Sequence, residues 1–206
     1  MRRLLSRLAA LIKPEAKPLF AGYSLKVLQS YFVMPLSVAR LPNLPMMTSL
    51  EQSGVLACYL SLLTEQNDVN RFRQWVDSSF QKVRESTFNG LRTFEYEDAL
   101  SKERLIFFTA NQAFNAVTIH LVTNSAKFLD WLNHEKLTVP PPWVAFEGYP
   151  HSWWGGNMQG AQGFYNERYF LPFFTSLSDA EKQRYYARFN ASAAWIEQLD
   201  LMYGDD

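Results

Sequence analysis

Three consecutive prolines, Pro140, Pro141 and Pro142, form the sharpest break in this chain. A run of prolines holds a polyproline-like conformation and cannot continue a helix. Immediately beyond it lies "PHSWWGGNMQGAQGFYNERYF", residues 150–170, with two adjacent tryptophans and four glycines. Glycine lets the backbone turn sharply. The sequence therefore predicts a proline- and glycine-rich loop region ahead of the C-terminal helices.

Helix signals outnumber strand signals on both sides of this break. Thr48 with Glu51, and Ser178 with Glu181, fit the capping-box pattern that begins a helix. Ser125 opens an amphipathic stretch, "SAKFLDWLNHEK". Because these signals recur along the chain, we predict an all-α or nearly all-α fold: a single-domain bundle of about seven or eight helices.

Several helix boundaries follow from these signals. We expect one helix from Thr48 to about Thr64, and a second that begins near Asn67 or Asp68 and ends at Asn89-Gly90. A C-terminal helix should run from Ser178 to about Met202. A short strand is possible over residues 91–96. The β-branched run "AVTIHLV", residues 116–122, fits a buried strand or a buried helix, and we favour a helix because no turn signal precedes it.

The charge distribution divides the chain into an arm and a body. Residues 1–40 contain seven basic residues and one acidic residue, whereas residues 41–206 contain 13 basic and 19 acidic residues. We therefore predict a basic amphipathic N-terminal arm, residues 1–18, on a single helical domain, residues 19–206. The acidic body argues against a nucleic-acid partner, because phosphate contacts need clustered Lys and Arg.

The arm has two interpretations. Its apolar residues recur at helical spacing, with basic residues between them: Leu4, Leu5, Leu8, Leu11 and Ile12. Such a helix could lie on an anionic membrane surface through residues 1–13, or it could be an ordinary helix docked on the domain, which we favour. The apolar part is too short for a signal peptide, and no run is long enough for a transmembrane helix.

Local motifs for catalysis, metal binding or nucleotide binding are missing from the sequence, so we predict no catalytic residues, no metal and no cofactor. Cys58, the single cysteine, lies in an apolar run and should be buried; this fits a reducing, cytoplasmic compartment. His120 is expected in the core and His134 on the surface. His151 is the one plausible catalytic histidine, although we favour a non-enzymatic function.

The tryptophan stretch has three interpretations: a corner of the core, which we favour, a protein-binding face, or a small-molecule pocket that also uses His151. Since Trp153 and Trp154 are neighbours, we expect one to be buried and the other at least partly exposed. The cluster Glu95, Glu97 and Asp98 is most simply a solvated helix start, but it is a second candidate for binding. The candidate partner-binding residues are Trp153, Trp154, Asn157, Gln159, Tyr165, Glu95, Glu97 and Asp98.

These features favour a protein-binding module. Bacterial inhibitors of toxins, the immunity proteins, commonly share this general profile of a small, aromatic-rich, acidic protein. An acidic body could steer a basic toxin domain, and aromatic anchors would supply the lasting contact. Two alternatives stay open: a small-molecule-binding protein or enzyme that uses the loop from His151 to Tyr165, and a membrane-peripheral protein that uses residues 1–13.

Overall fold

A six-stranded antiparallel sheet lies at the centre of the protein, which is described here from a computed structural model. The structure describes residues 18–36, 47–156 and 158–204, with the backbone alone at Pro18 and Gln112. The predicted N-terminal arm therefore lies outside the described residues, apart from Pro18. The strands of the sheet, in spatial order, are β3 (Met47–Ser49), β4 (Cys58–Thr64), β8 (Ala116–Thr123), β7 (Arg104–Ala113), β6 (Leu91–Glu97) and β5 (Gln81–Phe88).

A two-stranded hairpin, β1 (Pro18–Phe20) and β2 (Tyr23–Ser24), precedes the sheet. The helices are α1 (Leu25–Tyr31), α2 (Gln66–Ser79), α3 (Ala126–Glu135), α4 (Pro142–Ala145), α5 (Gly160–Tyr165), α6 (Leu171–Phe174), α7 (Asp179–Arg188) and α8 (Ala193–Tyr203). Short 3-10 turns occupy Glu51–Ser53 and His151–Trp153, and a π-helical turn, Asn166–Phe170, joins α5 to α6. Among the described residues, no helix is both long enough and apolar enough to cross a membrane.

The all-α prediction is wrong: the described residues form a six-stranded antiparallel sheet and a two-stranded hairpin as well as helices, so the fold is mixed α and β. The run 116–122, which we expected to be helical, is most of the central strand β8, and the helix expected from Thr48 to Thr64 is replaced by β3 and β4. Asn89-Gly90 does not end a helix but turns β5 into β6, with both residues at positive φ. Asn-Gly between two strands is the strongest short-range hairpin signal.

Two of the strands, β4 and β8, escaped prediction because both of their faces are covered. The side chains of a strand alternate between the faces, so a sheet with one face in water shows alternating polarity. In β4, Leu60 packs with α2 and α3 on one face, while Tyr59 and Leu63 pack with other elements on the opposite face. Every position of β4 is buried or half-buried, so the alternation of apolar and polar residues disappears from its sequence.

Three further expectations about helices and burial can be compared with the structure. Cys58 is buried, as expected, and its burial raises the pKa of the thiol. The helix after Ser125 is confirmed as α3, and the Ser125 hydroxyl accepts from the backbone N–H of Phe128. The capping box of Ser178 and Glu181 is also confirmed, but the C-terminal helix is two helices, α7 and α8, separated near Asn190, which has a positive φ.

Candidate functional site

Trp154 anchors the tryptophan stretch in the core. Its indole is 1% exposed and lies edge-on to the rings of Tyr165, Phe170 and Trp195, with centroid distances of 6.0, 6.1 and 6.1 Å. The backbone carbonyl of Trp154 accepts a hydrogen bond from Nε2 of Gln198 on α8, at 2.6 Å. Trp154 directly follows the 3-10 turn His151–Trp153. Its side-chain packing and its backbone hydrogen bond therefore both hold the end of that turn in place.

Trp153, the preceding residue, is 67% exposed. It belongs to the 3-10 turn His151–Trp153, and its ring lies edge-on to Tyr149 at a centroid distance of 6.3 Å. The expectation that one tryptophan is buried and the other exposed is therefore confirmed. A large indole held in water by an anchored backbone is available for contact with another molecule, and tryptophan is enriched among the residues that dominate binding energies.

Gly155 allows α8 to pack against this turn. Its φ is +91°, and a Cβ built on it would overlap Sδ of Met202. A side chain at this position would therefore combine an unfavourable backbone conformation with a steric overlap. The glycine keeps the tryptophan turn and α8 together, and Met202 itself is partly exposed beside it.

The two segments that form the exposed surface at Trp153 carry acidic residues and no basic ones. We define the Trp153 face as residues 147–156 together with α8, residues 193–203, because the 3-10 turn packs directly on α8. These two segments contain Glu147, Glu197 and Asp200 and no lysine or arginine. All three acidic residues are exposed. The Trp153 face thus combines an exposed aromatic ring with negative charge.

The other predicted partner-binding residues of the loop do not lie on the Trp153 face. Gln159 is exposed at the start of α5, and Asn157 lies outside the described residues. Tyr165 is fully buried, and its hydroxyl donates to the carbonyl of Pro140; burial raises the pKa of this phenol. It is a core residue in this structure.

His151 is exposed and lies edge-on to Trp195 at 6.3 Å. Among the hydrogen bonds and ion pairs of the described residues, none joins His151 to a carboxylate. In the same part of the chain, no group of three His, Cys, Asp or Glu side chains is placed to hold a metal ion.

The acidic candidates form a separate cluster in which the carboxylates are satisfied internally. Glu95 is 2% exposed; it accepts from the Tyr23 hydroxyl at 3.0 Å and from the Arg104 guanidinium at 2.7 Å. Glu97 pairs with Arg104 and Lys102. Asp98 accepts from two backbone N–H groups of the β6–β7 turn, which lower the pKa of its carboxyl.

This cluster is the hydrogen-bonded end of the β6–β7 hairpin and not a solvated helix start. No hydrogen bond or aromatic contact in the described part of the chain joins it to the Trp153 face. The predicted site residues therefore do not form one surface: Trp153 and Gln159 are exposed, whereas Trp154, Tyr165 and Glu95 are buried.

Sequence reasoning missed a groove beside β4. This groove, of about 310 Å³, lies between the strand, the end of α3 and the C-terminal helices. Its polar lining includes Lys136, Arg168 and the pair Ser61–Tyr169, whose hydroxyls lie 3.0 Å apart. The groove escaped prediction because residues 58–64 were interpreted as helix, and a helix has no strand edge.

The comparisons with known proteins find no counterpart. No protein-family model, curated protein or solved structure matches this chain. The functional assignment therefore depends on the geometry of the Trp153 face and of the groove beside β4.

Proposed function

We propose that this chain is a non-enzymatic protein-binding module, and that the Trp153 face is its contact surface. One observation carries the proposal: Trp153 is 67% exposed although its neighbour Trp154 is anchored in the core. Binding orders flexible side chains at a cost of about 0.5–1.5 kcal/mol each. The anchored backbone of Trp153 reduces the part of that cost that arises from the loop, so the exposed indole is suited to be a binding hot spot.

The partner that fits this face is basic. Glu147, Glu197 and Asp200 are exposed on the two segments of the face, which contain no lysine or arginine. Charge complementarity speeds the encounter between partners and disfavours partners of like charge. An exposed aromatic ring within an acidic surface would thus be steered toward a basic protein and would then bury its indole there.

We further propose that the module is an inhibitor of a toxin, of the bacterial immunity type. A basic toxin domain is a partner that this face would recognise, and a small inhibitor needs only one contact surface to cover it. The absence of paired cysteines in the sequence fits a cytoplasmic site of action, where thiols stay reduced.

The test uses the full chain and two variants. Proteins captured by the full chain are identified, purified and titrated against the wild type, Trp153→Ala and Leu100→Ala. Leu100 is the matched control because it is 95% exposed and lies in the β6–β7 turn, outside the Trp153 face. We expect Trp153→Ala to weaken binding by about 2 kcal/mol or more. Leu100→Ala should bind like the wild type.

The inhibitor assignment has its own measurement. The toxic activity of the purified partner should fall in proportion to added chain, with an equivalence point near one to one, and high salt should slow the association. If Trp153→Ala and Leu100→Ala bind equally well, the Trp153 face is not the contact surface. If the partner binds but its activity is unaffected, the chain would still be a binding module. It would not be an inhibitor.

A further inference from the structure

The groove beside β4 has the size of a small-molecule site. Its volume of about 310 Å³ lies at the lower end of the range of roughly 300–1,000 Å³ that such sites occupy. Most of its walls are apolar, and they come from β4, from α3 and the residues after it, and from the C-terminal region: Leu62, Leu63, Leu132, Leu137, Val139 and Phe173. A ligand that fits these walls has an apolar body.

Two buried hydroxyl groups make one part of this lining polar. Ser61 and Tyr169 are 3% and 8% exposed, and their hydroxyl oxygens lie 3.0 Å apart. Each hydroxyl carries one hydrogen, and the bond between them uses one of the two. When Ser61 donates to Tyr169, the phenolic O–H is left to donate to another acceptor. An acceptor atom of a ligand in the groove would satisfy it.

Arg168 brings a positive charge to the same part of the groove. It lines the groove next to Tyr169, it is exposed, and no ion pair among the described residues includes it. Burial raises the pKa of the Tyr169 phenol, whereas the hydrogen bond with Ser61 and the charge of Arg168 lower it. The guanidinium is therefore near the phenolic hydroxyl, so one ligand group can contact both.

The second cation of the lining is already neutralised. The Lys136 ammonium lies 3.3 Å from the Glu181 carboxylate and donates to the carbonyl of Ser176 at 3.1 Å. Among the described side chains of this lining, Arg168 is thus the one positive charge without a counter-ion. A guanidinium matches a single carboxylate, because its planar fork donates two parallel hydrogen bonds. A phosphate monoester, with about 1.5–2 negative charges, would keep an unpaired charge against apolar walls.

The local backbone also favours a binding role for these residues. Arg168 and Tyr169 belong to the π-helical turn Asn166–Phe170, and π-helical turns are rare and are frequently found at functional sites. The turn is anchored, since Oδ1 of Asn166 accepts from the Tyr203 hydroxyl at 3.0 Å and Phe170 is fully buried. An anchored segment therefore presents Arg168 and Tyr169 to the groove.

We propose that the groove beside β4 binds a small monocarboxylic acid with an apolar body, in its carboxylate form. The carboxylate pairs with the Arg168 guanidinium and accepts from the Tyr169 hydroxyl, while the apolar body packs against Leu62, Leu132 and Phe173. Unbranched alkanoates and aryl-alkanoates share this chemistry. None of the lining residues belongs to the Trp153 face, so the site does not depend on the function proposed for that face.

The test titrates the full chain with matched ligands. Octanoate and phenylpropionate represent the two kinds of apolar body, and octanol and octylammonium repeat the octanoate chain with a neutral and a cationic head. We expect at least one of the two carboxylates to saturate a single site in isothermal titration calorimetry, and the tighter of them identifies the preferred body. Octanol should bind more weakly than octanoate, and octylammonium most weakly, because only the carboxylate complements Arg168.

Two arginine variants test the role of the charge. Arg168→Ala should weaken carboxylate binding roughly tenfold to a hundredfold, as for the loss of a charged hydrogen bond, and should leave the affinity for octanol almost unchanged. Arg184→Ala is the matched control, because Arg184 is an exposed arginine on α7 that is not part of the lining. It should bind the carboxylate like the wild type.

Tyr169→Phe tests the hydroxyl while it keeps the ring. It should weaken carboxylate binding roughly threefold to tenfold, as for the loss of an ordinary hydrogen bond. Circular dichroism shows whether each variant is folded. In NMR spectra of the wild type, signals of residues 61–63 and Leu132 should shift when the carboxylate is added, and Trp153→Ala should bind it like the wild type.

Three results would overturn the proposal. The first is that neither carboxylate binds at a single saturable site. The second is that octanoate and octanol bind equally well, or that Arg168→Ala and Arg184→Ala bind the carboxylate equally well, which would leave only an unspecific apolar surface. The third is that Trp153→Ala loses binding while the signals of residues 61–63 stay unchanged, which would move the site to the Trp153 face.

Discussion

Trp153 and Trp154 are adjacent in the chain, yet their indoles are 67% and 1% exposed. The 3-10 turn ends between them, and the extended backbone of Trp154 directs its ring into a cluster with Tyr165 and Phe170. One residue thus contributes to the folding of the C-terminal region, and the other is free to contribute to binding. The separation makes the two roles measurable by separate substitutions.

We predict opposite effects of truncating the two tryptophans on stability. Trp154→Ala should lower the free energy of unfolding by about 3–5 kcal/mol, because it leaves a large cavity. Trp153→Ala should change it by less than about 1 kcal/mol, because an exposed side chain loses little packing. Urea denaturation followed by circular dichroism measures both. A loss of several kcal/mol in Trp153→Ala would show that this ring is part of the core.

The Glu95–Arg104 pair gives a prediction about the acidic cluster. Arg104→Ala leaves the buried Glu95 carboxylate with Tyr23 as its remaining polar side-chain partner, so we expect a loss of about 3–5 kcal/mol of stability. Lys102→Ala is the matched control. It removes an exposed partner of Glu97 and should cost at most about 1 kcal/mol. Equal losses in the two variants would contradict the structural role of Arg104.

How much of this fold the sequence reveals depends on the kind of signal. Capping patterns predicted helix starts correctly where no strand pairing competes with them. Ser125 caps α3, and Ser178 with Glu181 forms the capping box of α7. The same pattern at Thr48 and Glu51 misled, because β3 pairs there with β4 and tertiary pairing outweighs a weak local preference. Caps predict helix starts only where no strand partner competes.

The candidate sites also combine features that the sequence predicts with features that depend on the tertiary structure. Adjacent tryptophans in a non-helical loop must diverge, so the burial of one and the exposure of the other could be derived from the sequence. Which of them is buried depends on the position of α8 and Gly155, which is a tertiary property. The groove beside β4 depends on how this strand packs against α3 and the C-terminal helices, and the burial of Glu95 depends on the pairing of β6 with β7. Neither is visible in a local pattern.

His120 gives a prediction about pH. Its Nδ1 lies 2.8 Å from the Tyr59 hydroxyl, its ring stacks on Phe108, and burial lowers its pKa below the usual 6.5. The unfolded chain therefore binds a proton more readily than the native protein, and the free energy of unfolding should fall as the pH drops below about 6.5. His120→Gln should reduce this decline between pH 7 and pH 5. An NMR titration that gives His120 a pKa at or above 6.5 would contradict it.

Glu181 gives the complementary prediction at lower pH. Hydrogen bonds from the backbone N–H and the hydroxyl of Ser178, together with the Lys136 ammonium, lower its pKa from 4.5 to about 2. The native state therefore holds this proton less tightly than the unfolded chain, and the stability it contributes is present above pH 4.5 and lost as the pH falls toward 2. Glu181→Gln should flatten the dependence of the unfolding midpoint on pH in that interval. An unchanged slope would show that Glu181 in the capping box does not cause this pH dependence.

Gly155 connects the stability of the C-terminal region to the Trp153 face. A residue with a side chain at φ +91° is strained, so Gly155→Ala should cost roughly 1–3 kcal/mol of stability. The overlap of the new Cβ with Met202 adds a steric part, but methionine is flexible and partly exposed and can move aside. Met202→Ala in the same chain removes the steric part and leaves the backbone strain. We therefore expect Gly155→Ala to cost nearly as much in the Met202→Ala background as in the wild type, measured by urea denaturation of the four proteins. Full recovery of stability in the double variant would instead assign the cost to packing against α8.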